Sequence, residues 1–101
     1  MHHEPIAFRG TYCYATVAEL ERALGAARAC IAEDDHAELD PDWARTFARV
    51  GTKLRVDVVL PASADRFVAA AVLEALATPA VEGVVEASRG GCCVDWFPAG
   101  R

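Results

Sequence analysis

The sequence predicts an α+β fold, a two-layer α/β sandwich in which a four-stranded mixed sheet carries its helices on one face. Three observations predict it. Alternating apolar and polar residues mark strands near 6–15 and 54–60. Apolar residues three and four apart mark three helical stretches. A Gly90-Gly91 pair separates two further apolar arms, which is a hairpin signal. The order read along the chain is β-α-α-β-α-β-β.

Each element has its own warrant. Residues 1–5 form a flexible tail, and residues 6–98 form one domain, as 101 residues allow. In the first strand Ile6, Phe8, Tyr12 and Tyr14 share one face, while Ala7, Arg9, Thr11 and Cys13 share the other. Thr16 and Glu19 make a capping box for a helix over about 17–35. Its inward stripe is Val17, Leu20, Leu24, Ala27 and Ile31, with Cys30 beside it as a small core residue. Asp40-Pro41 starts a short helix over about 41–50, with Trp43, Phe47 and Val50 inward and Gly51 as its stop. The second strand follows, with Leu54, Val56, Val58 and Leu60 on one face and Arg55, Asp57 and Val59 on the other. Ser63 or Asp65 caps a third helix over about 64–77, with Phe67, Val68, Ala71, Val72, Ala75 and Leu76 inward. A two-residue turn at Gly90-Gly91 pairs Arg89 with Cys92, Glu86 with Asp95 and Val84 with Phe97. The core face of this hairpin is then Val81, Val85, Ala87, Val94 and Trp96.

At the level of element order, the pattern resembles the superfold of the C-terminal domain of translation initiation factor 3 and of the TusA-type sulfur carriers. The stretch matching the carriers' Cys-Pro pair is Tyr12-Cys13-Tyr14-Ala15-Thr16, with the cysteine and without the proline. The resemblance implies the sandwich architecture and, through Cys13, a sulfur-carrier-like alternative.

Charge and composition exclude several classes. The chain carries 10 basic and 15 acidic residues, a net charge of −5. That disfavours nucleic acid and anionic membrane surfaces as partners. No apolar run is long enough to span a bilayer. The first residues carry no secretory signal, so the expected compartment is cytoplasmic and the four cysteines are expected as free thiols. The chain has no Asn or Gln and 21 Ala, a GC-rich, bacterial type of composition that leaves few neutral polar groups for an active site. No cofactor or metal motif is present, and His2 and His3 are read as an adventitious N-terminal metal-binding pattern.

The uncovered sheet face is the candidate site. It should show Arg9, Thr11, Cys13, Arg55, Asp57, Val59, Glu82, Val84, Glu86, Ser88, Cys93, Asp95 and Phe97. Glu86 facing Asp95 would be a repulsive cross-strand pair, compensated by Arg9 or Arg55 or joined by Asp57 into a carboxylate cluster. Cys13 and Cys93 are the candidate thiols. A possible anion site gathers the third helix's N-terminus, Thr16 and the Arg89-Gly90-Gly91 turn at one end of the sheet. The expected function is a non-catalytic interaction or regulatory module, a homodimer using the open face and the acidic segment 33–42. The alternatives are a small thiol- or carboxylate-dependent enzyme or sulfur carrier, and an acidic inhibitor of a basic protein partner.

Overall fold

In the computed structural model, which describes residues 5–32, 47–60 and 66–100, alternation in the first segment becomes β1 (Ile6–Cys13). Ile6, Phe8 and Tyr12 point into the core, as does Tyr14 just beyond the strand. Next is α1 (Val17–Ala32). The Glu19 amide donates to Thr16 Oγ1 at 3.2 Å, so the predicted cap forms. Leu20, Ala23, Leu24 and Ala27 are buried, whereas Val17, in the first turn, is exposed.

The next expectation is corrected. Residues 41–46 of the predicted short helix lie outside the described residues, as does Trp43. Its end is extended chain, β2 (Ala48–Val50), joined to β3 (Lys53–Leu60) by a two-residue turn at Gly51-Thr52. Gly51 has φ of 60°, so it serves a hairpin turn rather than a helix stop. Three apolar residues at helical spacing were too short a pattern to exclude this.

After β3 comes α2 (Arg66–Ala77). Its buried stripe is Ala69, Val72, Leu73, Leu76 and Ala77. Ala71 faces solvent and Ala75 is only partly buried, so the helix is rotated from the expected register. At the helix end the Glu74 carbonyl accepts from both the Thr78 amide at 2.9 Å and Thr78 Oγ1 at 2.7 Å. The chain finishes with β4 (Glu82–Arg89) and β5 (Cys92–Pro98). Gly90 and Gly91 form the turn between them, with φ of 59° and 80°, as expected.

The sheet has five strands in the order β2-β3-β1-β4-β5, and every neighbouring pair is antiparallel. The predicted four-stranded mixed sheet is thereby corrected. Each helix carries the chain over one intervening strand, so the strands it joins are parallel to each other but never adjacent. The described order is β-α-β-β-α-β-β. Its first six elements have the split β-α-β, ferredoxin-like connectivity, which replaces the element order resembling the two families above. The helices do share one face, so the two-layer sandwich holds.

Two tyrosines tie the layers and strands together. Tyr12 Oη donates to the Phe97 carbonyl at 2.5 Å, and Tyr14 Oη donates to the Leu76 carbonyl at 2.6 Å. Burial raises the Tyr14 pKa above its ordinary value of about 10. Only the neutral phenol donates, so its stabilisation is full below pH 10 and is lost as pH rises toward the folded-state pKa. Tyr14→Phe is expected to cost about 1 kcal/mol at neutral pH. Denaturant titrations should also show a shallower loss of stability above about pH 10 in this variant.

The candidate functional site, an uncovered sheet face

The helices cover one side of the sheet, and the other side is bare among the described residues. Strand register arranges this bare face in rungs. At one end Lys53, Cys13 and Glu82 lie side by side on β3, β1 and β4. The next rung is Ala48, Arg55, Thr11, Val84 and Pro98, spanning all five strands. Then come Asp57, Arg9, Glu86 and Trp96, and finally Val59, Ala7, Ser88 and Cys93.

The β4–β5 pairing departs from the expected register. Arg89 faces Cys92 and Ser88 faces Cys93, but Ala87 faces Asp95. One residue of β5, Val94, is therefore unmatched, and the strand carries a bulge. A one-residue slip exchanges the faces of everything beyond it. Phe97 moves into the core, where it is buried, and its carbonyl meets Tyr12. Trp96 moves onto the bare face, 55 % exposed. The expectation of Phe97 outside and Trp96 inside is reversed. Val81 and Val94, expected in the core, are also exposed.

The same bulge removes the predicted repulsive pair. Glu86 faces Trp96 rather than Asp95. Asp95 lies beside Ala87, on the opposite side of β5, and its Oδ1 accepts from the Trp96 amide at 2.8 Å. The carboxylate cluster of Asp57, Glu86 and Asp95 is thus corrected. Asp57 and Glu86 do share the bare face, but Arg9 stands between them. Arg9 Nε lies 3.3 Å from Asp57 Oδ1, and both side chains are more than half exposed, so the pair contributes under about 1 kcal/mol. Arg9 thus pairs with Asp57, and the Glu86–Asp95 pair it was expected to offset does not form. Arg55 is one rung away, beside Thr11. Among the described residues, no group of three or more His, Cys, Asp or Glu is placed to hold a metal ion.

The two candidate thiols lie at opposite ends of the face. Cys13 is half-buried between Lys53 and Glu82. Cys93 is exposed on β5 across from Ser88, with Sγ 3.5 Å from the Asp95 carbonyl. Neither thiol is grouped with the other or with a histidine among the described residues. The predicted anion site also separates. Leu60, Ile6 and Arg89 share the rung at one end of the sheet, while Thr16 follows Cys13 at the other. Ser63 and Asp65 lie outside the described residues, as does the acidic segment 33–42.

Ala48, Lys53, Pro98 and Trp96 of the site escaped the sequence reading, and the largest of them is Trp96. Its signal was available only indirectly. Two adjacent aromatics, Trp96 and Phe97, compete for one core position, and only one can be buried. No helix of the described residues is long and apolar enough to cross a membrane. Set against known proteins, the chain matches no family model, no curated protein and no solved structure to a significant degree.

Proposed function

We propose that this chain is a small association module that works as a homodimer, with two copies stacking their bare sheet faces. The observation that carries this reading is Trp96, a large apolar side chain delivered by the β5 bulge onto a face that no other described element covers. Val59 and Val84, 54 % and 39 % exposed, share that face. An uncovered apolar patch with interleaved charges is the usual mark of an interaction surface.

Area supports the choice of partner. Five strands about 4.8 Å apart, most of them eight residues long, make a face of about 500 Å² in projection. That approaches the scale of each half of a standard interface, about 800 Å² of accessible surface. Charge supports a second copy in particular. The face carries Arg9, Lys53 and Arg55 against Asp57, Glu82 and Glu86, so it is neutral while the chain is at −5. Two copies can therefore meet there without the repulsion that their net charges impose elsewhere. The acidic residues 33–42, six carboxylates without a Lys or Arg, remain available in this reading to a basic protein partner of the dimer.

Sedimentation velocity over a range of concentrations tests the proposal. The expected result is a reversible dimer, twice the 10.8 kDa of one chain. A species of 10.8 kDa at every concentration up to the millimolar range overturns it.

A further inference from the structure

This inference rests on the homodimer proposed above and concerns how the two copies lie on each other. On the bare face β1, β3 and β4 each present four residues, one to a rung. The two middle rungs carry most of the charge. One holds Arg55, Thr11, Val84 and Pro98, and the next holds Asp57, Arg9, Glu86 and Trp96. Arg9 already pairs with Asp57 within the chain and has Glu86 on its other side. Arg55 is exposed and has no ion-pair partner among the described residues.

A two-fold axis relating two stacked faces lies in the plane between them, and it can run along the strands or across them. An axis along β1 exchanges the two flanks within each rung. Lys53 of one copy then meets Glu82 of the other, but Asp57 meets Glu86 and Arg9 meets Arg9. An axis across the strands lays each strand on its own copy, antiparallel, and exchanges the rungs. Passing through the Arg55 rung, it sets Lys53 on Asp57, but also Arg55 on Arg55 and Glu82 on Glu86. Passing through the Asp57 rung, it sets Asp57, Arg9 and Glu86 each on itself. Midway between these rungs no like charges oppose. Arg55 meets Asp57, Thr11 meets Arg9, Val84 meets Glu86 and Pro98 meets Trp96. In the outer rungs Lys53 meets Val59, Cys13 meets Ala7 and Glu82 meets Ser88. This midway position is also the centre of the four rungs, so it overlaps the two faces most fully. Like charges placed opposite each other suppress an arrangement, and complementary ones fix its register.

We propose that the dimer axis runs across the strands, midway between the Arg55 and Asp57 rungs, so that Arg55 of each copy reaches Asp57 of the other. Both residues lie one strand from β1 and half a rung from the axis, about 6 Å from the crossing point. Stacked sheets cross at about 30°, which displaces positions at that distance by about 3 Å. An arginine side chain spans that displacement. Asp57 has two carboxylate oxygens, so it accepts from Arg9 of its own chain and from Arg55 of the second copy together. Glu86 keeps Arg9 beside it on its own sheet, and the Trp96 indole gains Pro98 as an apolar partner.

The test is a charge-reversal set measured by sedimentation equilibrium on the full chain. Asp57→Arg is the decisive variant. It makes the chain less acidic, which by itself favours association, yet it is expected to raise the dimer dissociation constant about tenfold, because symmetry sets a cation on Arg55 at two places. Arg55→Asp raises it about tenfold as well, and the combined R55D/D57R chain returns to within about threefold of the wild type. Lys53→Glu, whose counterpart is Val59, changes it by less than about threefold. All three positions are exposed, so circular dichroism and melting temperature serve as fold controls. If Asp57→Arg dimerises as tightly as a stable wild-type dimer, or more tightly because an Asp57–Glu86 repulsion is relieved, this inference is overturned, while the homodimer stands. If the wild-type chain is a monomer, the homodimer itself fails.

Discussion

Trp96→Ala is expected to raise the dimer dissociation constant about 100-fold. Two indoles leave the interface at once because a two-fold contact contains each residue twice. Buried tryptophans dominate interface energetics, and truncating one at a hot spot typically costs 2 kcal/mol or more. The cost to the single chain should be small. Trp96 is half-exposed on the face remote from the core, so its truncation should change monomer stability by under about 1 kcal/mol. The contrast between the two effects is the informative result. Sedimentation equilibrium reads the first and a thermal melt reads the second. A variant that dimerises like the wild type would move the interface elsewhere.

Gly83→Ala is expected to be the most damaging small substitution at the seam between β1 and β4. Gly83 has φ of 114°, where side chains are strained. A Cβ added there would lie 2.0 Å from the Thr11 carbonyl oxygen, which belongs to the central strand. Backbone cannot swing aside as a flexible side chain can. Gly10 makes the reciprocal approach, with an added Cβ 2.0 Å from the Val84 carbonyl oxygen. The pair lets β1 and β4 close tightly around the buried Tyr12. The expected cost of Gly83→Ala is about 3 kcal/mol, the sum of backbone strain and displaced packing. For a domain this size that is roughly 15 °C in melting temperature. Gly25→Ala is the control, since its added Cβ meets nothing within 4 Å and the helix gains propensity. A Gly83→Ala melt equal to that of Gly25→Ala would contradict this view of the seam.

Much of the sheet's outer face was legible in the sequence because β1 and β3 alternate without interruption. Alternation placed Arg9, Thr11, Cys13, Arg55, Asp57 and Val59 on the bare side, and they lie there. The Gly90-Gly91 turn was legible because a glycine pair accepts both positive φ values without strain. Gly10 also left a signal, since a glycine inside a strand marks close backbone approach. The bulge in β5 left none of this kind. Extending the two-residue turn's register through the hairpin was the simplest choice, and one unmatched residue then inverted Asp95, Trp96 and Phe97 together. The core overrode the local pattern. Phe97 is buried and offers its carbonyl to Tyr12. The fifth strand was missed for a different reason. Three residues, Ala48–Val50, carry too little alternation to compete with a helical spacing shared with residues further upstream.

The central claim is that the bare sheet face joins two copies of this chain. Isotope-filtered nuclear Overhauser spectroscopy on an equal mixture of labelled and unlabelled protein tests it most directly. The account expects intermolecular cross-peaks from the Trp96 indole and the Val59 and Val84 methyls, all exposed in the single chain. Intermolecular cross-peaks confined to the helical layer, or none from these three side chains in a sample that sediments as a dimer, would contradict it.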